Sequence, residues 1–409
     1  MAAVNHFYGE ELTAQSHDAD TNFATLKSIA GASLLANTNY LIVAQMLFNG
    51  KSTSRKFDGR VTTADDSTIA SKSTATVEPS RQQTDQAAVY FFVHSFQTDA
   101  SPADVLLQFR TGNTASAAQA DQISLFLLDL DDLESANFHE TISADDGVEY
   151  PTASAVQFSI AGSNLGTDEW LILAYQMTGI GSVSENFRVE AHAANDTSTT
   201  ALRALNENEG EDTDEKRTTG IVLRHKASSG TPNFEVHTSE ESITANMLNK
   251  GGYAIALKTS AFADFASVYT AGSTAIEVTE ATFQTVSSYS PSVTADHLLF
   301  GVWNQTGTTI TAATFMHIED DGVELRVGDV DMSASERYDV TALPHHVLFH
   351  LDNIDSTDTS TYTLRGTADA TGNSVEHRWL IILSLEKATV APVGVFPPFP
   401  RRQLTTVRM

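Results

Sequence analysis

The chain repeats itself at a long period, and that repeat limits its fold more than any single motif does. Tyr40-Leu41-Ile42-Val43-Ala44 is answered by Trp170-Leu171-Ile172-Leu173-Ala174 and by His297-Leu298-Leu299-Phe300-Gly301. A second segment begins at Phe57, Phe187 and Phe315. A third, Phe91-Phe92-Val93-His94, matches Ile221-Val222-Leu223-Arg224 and Val347-Leu348-Phe349-His350. A fourth, Leu107-Gln108-Phe109-Arg110, matches Phe234-Glu235-Val236-His237 and Tyr362-Thr363-Leu364-Arg365. The fifth sets Ile123, Leu125 and Leu127 beside Tyr253, Ile255 and Leu257, then beside Trp379, Ile381 and Leu383. Steps between the first two copies are 130, 130, 130, 127 and 130 residues, and between the last two 127, 128, 126, 128 and 126. Five spacings held over two steps indicate duplication, not the ordinary rhythm of unrelated strands. Ser28-Ile29-Ala30-Gly31, echoed by Ser159-Ile160-Ala161-Gly162, adds a sixth match.

The segments are short runs of Val, Ile, Leu, Phe and Tyr bounded by Ser, Thr, Asp, Asn and Gly, the pattern of strands and turns. Apolar and polar residues alternate in the fourth segment, so one face of that strand is wet. About seven to nine strands in each copy fit an antiparallel sandwich of two sheets, jelly-roll-like in type. The expected fold is therefore all-β, with three tandem β-sandwich repeats over residues 1–133 (with an N-terminal segment), 134–262 and 263–388. Residues 389–409 are expected to form a separate, extended Pro-rich arm.

A length of 409 residues is consistent with several domains. The charge excludes some partners. With 52 Asp and Glu against 24 Lys and Arg, the net charge is −28, and such a surface repels nucleic acid and anionic membranes. Scarce lysine, 9 against 15 arginines, suits a body kept soluble by carboxylates in salty water. The absence of cysteine removes disulfides, thiolate metal sites and cysteine nucleophiles together. The segment Met1-Ala2-Ala3-Val4-Asn5-His6 carries no basic-then-apolar leader pattern, and no apolar run is long enough to span a membrane.

The arm differs in composition. It holds Pro392, Pro397, Pro398 and Pro400, four of the chain's ten prolines, and no acidic residue, while Arg401, Arg402 and Arg408 make it basic. Proline fixes φ and removes backbone donors, so Val395-Phe396-Pro397-Pro398-Phe399-Pro400 is expected to be extended. Phe396, Phe399, Arg401, Arg402 and Arg408 are the expected docking residues toward a partner or neighbouring subunit.

Candidate chemical sites are few. Glu207, Glu209, Glu211, Asp212, Asp214 and Glu215 supply carboxylates for calcium but lack the EF-hand spacing, which favours a solvated loop. Asp129, Asp131, Asp132 and Glu134, or Glu319, Asp320, Asp321 and Glu324, could ligate a cation or act as acid and base on a glycosidic bond. His345, His346 and His350 cluster, yet two rings about 13 Å apart on one strand cannot share an ion. His346 and His350 are expected on the outer face, where His94 and Arg224 match His350. Trp170 and Trp379 read as core or rim residues, whereas Trp303 could stack on a sugar. Phosphate loops, dinucleotide fingerprints, nucleophile elbows and zinc-protease motifs are missing. No catalytic, cofactor-binding or metal-ligating residue is assigned, and no enzyme activity is expected.

This construction, with strands such as Tyr40–Ala44 and Trp170–Ala174 repeated in an acidic, cysteine-free chain, resembles that of tailed-bacteriophage virion structural proteins built from tandem β-sandwich modules. The resemblance spans about residues 18–388 and implies a non-enzymatic virion component, either a capsid decoration protein or a tail or fibre protein. Its implied partners are further copies of itself and other virion proteins, such as a major capsid or tail protein. Three modules would form a pseudo-threefold unit suited to decoration, or a rod of beads suited to a fibre. The main alternative is a carbohydrate-binding or adhesin-type sandwich that recognises a cell-surface glycan. It requires exposed aromatic rings at equivalent places, and Trp303 stands near Met46 and near Gln176 or Met177 in the other copies.

Overall fold

The computed structural model describes residues 2–11, 15–17, 22–50, 57–64, 75–77, 86–111, 118–181, 186–195, 198–209, 216–240, 246–270, 276–277, 284–307, 314–330, 345–353, 360–368 and 373–388. Module one contains β1 (His6–Glu11), β2 (Gln15–His17), β3 (Ala24–Ile29), β4 (Asn39–Gly50), β5 (Phe57–Thr63), β6 (Ala75–Val77), β7 (Gln86–Gln97), β8 (Val105–Thr111) and β9 (Ala118–Asp129). Module two contains β10 (Phe138–Ser143), β11 (Ala155–Ile160), β12 (Glu169–Ile180), β13 (Asn186–Asn195), β14 (Ser198–Glu209), β15 (Lys216–Lys226), β16 (Phe234–Glu240) and β17 (Met247–Lys258). Module three contains β18 (Phe265–Thr270), β19 (Ile276–Glu277), β20 (Gln284–Tyr289), β21 (Asp296–Gly307), β22 (Thr314–Asp320), β23 (Val323–Val330), β24 (His345–Asn353), β25 (Tyr362–Ala368) and β26 (Asn373–Ser384).

Each module pairs an inner with an outer antiparallel sheet in one shared strand order. The inner sheets run β1-β9-β4-β7, β10-β17-β12-β15 and β18-β26-β21-β24; the outer sheets run β3-β8-β5-β6, β11-β16-β13-β14 and β20-β25-β22-β23. This is the two-sheet, eight-stranded jelly-roll order, with β2 and β19 as short additions beside β9 and β26. The all-β sandwich expectation holds.

Burial separates the two sheets. Along β12 every residue after Glu169 is buried, so both faces of this inner strand are covered. In the outer strand β16, Phe234 and Val236 are buried while Glu235 and His237 are half-buried, the alternation expected of a single wet face. Module three shows where the inner strands' two faces go. Leu299, Trp303, Leu348, Leu380 and Ile382 pack with Ile318, Tyr362 and Leu364 inside the sandwich. Their neighbours Leu298, Phe300, Val302, Val347, Phe349, Trp379, Ile381 and Leu383 belong to a core continuous with the other two modules.

The pairing also corrects the phase of three repeat matches. Val43 pairs with Val93 and Phe126, Leu173 with Val222 and Ile255, and Phe300 with Phe349 and Ile381. Phe92 therefore answers Ile221, and His94 answers Leu223 in place of Arg224. In the fourth segment, Gly31 N–H donates to Asp104 and Gly162 N–H to Asn233, which places Val105, not Leu107, opposite Phe234 in the comparison. Edge strands β3, β11 and β20 each carry one bulge against their partner, at Leu26, Gln157 and Val286. A bulge on an exposed edge twists it away from unwanted pairing.

The modules close into a ring. Strands β7, β15 and β24, one edge strand from each inner sheet, touch one another in every combination. Around them the contacts are cyclic: β6 of module one meets β15, β14 of module two meets β24, and β23 of module three meets β7. This is a heterologous, closing arrangement with pseudo-threefold symmetry inside one chain. At one end of the ring, Val4 N–H donates to Leu385 O at 2.7 Å, Lys387 N–H to Ala2 O at 2.9 Å, and Ala388 N–H to Ala261 O at 2.9 Å. The N-terminal segment, the link between modules two and three, and the exit of module three thus meet in one place.

Candidate functional site

The joints between modules carry buried polar contacts. An edge strand leaves backbone N–H and C=O groups without sheet partners, and these need replacements when apolar surface covers them. At the joint of modules three and one, Phe349 N–H donates to Gln45 Oε1 at 2.7 Å in a fully buried setting. The Phe349 and Phe91 rings meet edge to face with centroids 6.3 Å apart.

Equivalent histidines seat two of the three edge strands, β7 and β24, on a neighbouring module. His94 stacks on Tyr253 at 4.7 Å, and the neighbouring Ser95 donates to Glu140 at 2.6 Å. Tyr253 in turn donates to Glu140 at 2.7 Å, and burial pushes its phenol well above the ordinary range. Across the third joint, His350 Nδ1 lies 3.2 Å from Glu10 and 3.3 Å from the Tyr8 hydroxyl, and Tyr8 donates to Glu10 at 2.7 Å. The Phe92 and Tyr175 rings meet at 5.2 Å, and Tyr90, fully buried nearby, has its phenol raised by burial and then by Tyr175.

Closure is reinforced by contacts distant in sequence. His6 Nε2 lies 2.9 Å from Asp296 Oδ2, and Lys387 Nζ lies 2.5 Å from Asp132 Oδ1. Burial raises the Asp132 carboxyl, but bonds from Lys387 and the Asn5 N–H outweigh it and hold the group low. The neighbouring Asp129 is raised, chiefly by burial.

Six of the acidic positions named from sequence, Asp129, Asp131, Asp132, Glu319, Asp320 and Asp321, have structural partners. Asp129 accepts from the N–H groups of Asp131 and Asp132 and from Asn5, forming a turn cap, while Asp131 holds Asn39. Glu319 binds Arg365 at 3.0 Å, Asp320 accepts from Ser360, and Asp321 accepts from the Thr361 N–H. Among the described residues, no group of three or more His, Asp or Glu is placed to hold a metal ion.

Two readings need correction. His350 is buried at a joint, because an edge strand in a ring has no solvent-facing side there. Trp303 is fully buried in the module-three sandwich, with Met46 and Gln176 equally covered, so none of them offers a sugar platform. The acidic stretch 211–215 and the docking residues Phe396, Phe399, Arg401, Arg402 and Arg408 lie outside the described residues.

Sequence reasoning missed Tyr8, Gln45, Glu140, Gly220 and Tyr253. Their partners are more than a hundred residues away or in another module, and only the closed ring brings them together. A buried glutamine inside an apolar strand, as at Gln45, was the available signal.

No protein-family model matches the chain, and no curated protein matches it. Among solved structures, a chain of the Sulfolobus turreted icosahedral virus is similar at 10% identity over 92% of this chain and 91% of that one, with a TM-score of 0.21. A chain from the triple jelly roll fold and turret assembly of an archaeal virus gives 10% identity, 95% and 92% coverage, and a TM-score of 0.22. The tandem carbohydrate-binding domains of Paenibacillus barcinonensis Xyn10C give 10% identity, 61% and 93% coverage, and a TM-score of 0.17. Viral and carbohydrate-binding chains thus appear side by side at this low level of similarity.

Proposed function

We propose that this protein is a non-enzymatic structural component of a virion, built as a prefabricated pseudo-threefold tile. The observation that carries this reading is the cyclic joint: three jelly rolls of one chain bury the outward faces of their inner sheets against one another. Duplication would have kept the strands that make the joints while loops and outer faces diverged. A closed ring suits a capsid decoration position with local threefold character better than a fibre of beads. The basic arm at 389–409, with Phe396, Phe399, Arg401, Arg402 and Arg408, would fasten the tile to further copies or to a major capsid or tail protein. The test is electron microscopy with mass spectrometry of purified particles that contain the protein. Ring-shaped density at threefold or quasi-threefold positions is expected. A chain that binds a glycan array and is missing from particles would overturn the proposal.

A further inference from the structure

We infer that strand β1, with the residues before it, is a strap that protonation of His6 fastens across the one joint of the ring that the chain itself does not link. Short connections join module one to module two and module two to module three, but none joins module three to module one. Alternate residues of the strap meet module three. Val4 is fully buried and its N–H donates to Leu385 O at 2.7 Å. His6 Nε2 lies 2.9 Å from Asp296 Oδ2, and the Tyr8 hydroxyl and Glu10 carboxylate lie 3.3 and 3.2 Å from His350 Nδ1. Positions 6, 8 and 10 share one face of β1, and that face is given to another module.

His6 is held at both ring nitrogens. Nδ1 lies 2.8 Å from the Val4 carbonyl oxygen and Nε2 2.9 Å from the Asp296 carboxylate. A carbonyl oxygen and an ionised carboxylate only accept, and a neutral imidazole has a single N–H to give. The closed contact therefore holds one proton more than a neutral ring beside an ionised carboxylate. The other charged groups at this end are Asp129 and Asp132, which bind Asn5, and Lys387, which binds Asp132. The Phe126 ring, its centroid 6.1 Å from that of His6, is the apolar neighbour. Farther along the strap, Glu10 faces His350 and accepts from Tyr8.

The histidine is specific to this joint. The register that pairs His6 with Leu128 pairs Phe138 with Leu257 and Phe265 with Leu383. Asp296 likewise corresponds to Asn39 and Glu169, the residues before Tyr40 and Trp170. Asn39 is bonded to Asp131, and Glu169 to Arg224 and Lys226. At the two joints that the chain links, phenylalanine thus stands in place of His6. Phenylalanine serves burial at any pH, whereas an imidazole against a carboxylate responds to protons. A released strap exposes His6 to water, where imidazole loses its proton above about pH 6.5. Below that value the strap closes with the proton already in place. Above it, closing must recruit a proton or forgo a hydrogen bond, so the strap is tight in mild acid and loosens as the pH rises.

Hydrogen exchange on the full-length protein, corrected for the intrinsic pH dependence of amide exchange, is the test. The Val4 and Lys387 amides, which donate across the joint to Leu385 and Ala2, read the strap. The Ala263 amide, which donates to Glu386 from the link between modules two and three, is the control. Between pH 6 and pH 8, protection at Val4 and Lys387 is expected to fall about tenfold while Ala263 holds steady, a change that one linked proton can produce. His6→Phe, which copies Phe138 and Phe265, should keep the strap protected across the range and abolish the fall. Asp296→Asn, which leaves the imidazole in place, should abolish it as well. Protection that stays level or rises with pH in the unaltered chain would overturn the inference, as would an equal fall at Ala263 or a fall of the same size in either variant. Because the readout uses free protein, absence of the chain from particles would defeat the virion role alone.

Discussion

The Phe91 ring of module one occupies the space where Gly220 of module two has no side chain. A Cβ built at Gly220 would fall 2.6 Å from Phe91 Cδ1 and 2.9 Å from its Cβ. Phe91 pairs with Gln45, Gly220 with Tyr175 and Val347 with Val302, so three unlike residues fill one pseudo-equivalent place. A large ring can fit there only because its neighbour is a glycine. Gly220→Ala is expected to cost about 1–3 kcal/mol through overpacking, and Phe91→Ala about 3–5 kcal/mol through the cavity it leaves. The double variant should be more stable than the sum of the two losses predicts, as measured by urea unfolding in a double-mutant cycle.

Gly31 and Gly162 show a different constraint. Added Cβ atoms would lie 2.1 Å from Pro102 O and 1.9 Å from Thr231 O, which are backbone atoms that cannot turn aside. Each glycine N–H also donates to a side-chain carbonyl oxygen or carboxylate, at 2.7 Å to Asp104 and 2.8 Å to Asn233. Gly31→Ala or Gly162→Ala should each lower stability by roughly 3 kcal/mol, with a shifted urea midpoint as the measure. An unchanged midpoint would show that these loops move freely.

These cases show what the sequence could and could not reveal. Strand existence, sheet class and the duplicated order were legible because apolar runs bounded by turn residues are a local signal. Phase was not. Phe91–His94 and Ile123–Leu127 are buried on both faces, so their unbroken apolar character left a one-residue ambiguity in matching Ile221 and Tyr253. Leu107–Arg110 alternates, which fixed its face correctly but allowed a two-residue slip against Phe234. The joints were invisible for another reason. Tyr8, Glu140 and Tyr253 resemble ordinary strand residues until the ring closes against them.

The N-terminal segment works as a clasp, and its apolar anchor should matter more than its ion pair. Val4 is fully buried and bonded through its N–H to Leu385. Lys387 and Asp132 remain 35% and 28% exposed, where an ion pair contributes below about 1 kcal/mol. Val4→Asp puts a carboxylate into that core and should cost about 3 kcal/mol or more, whereas Lys387→Ala should be nearly silent. Hydrogen exchange is the measure. Val4→Asp should speed exchange at the Lys387 and Ala388 amides while leaving Leu299, deep in module three, protected. Equal effects from the two substitutions would refute the ranking.

Acid should loosen module two before it protonates the native fold. His225 is fully buried, accepts from the Ala194 N–H at 3.2 Å, and is pushed down by burial to about 4. His297 is lowered as well, again chiefly by burial. Above the ordinary histidine value of about 6.5, both folded and unfolded chains hold His225 neutral, and stability is complete. Below it the unfolded chain takes up a proton that the folded chain refuses, so stability falls with pH until the folded ring protonates near 4. The drop from His225 alone is about 3 kcal/mol. His225→Phe, which copies Phe96 at the matching place in module one, removes that proton uptake. It sacrifices the Ala194 bond, worth about 1 kcal/mol at neutral pH. Urea unfolding between pH 7.5 and 4.5 should therefore show a shallower decline for the variant and a crossing of the two curves on the acid side. Parallel curves would mean that His225 titrates normally and is not sealed between the sheets.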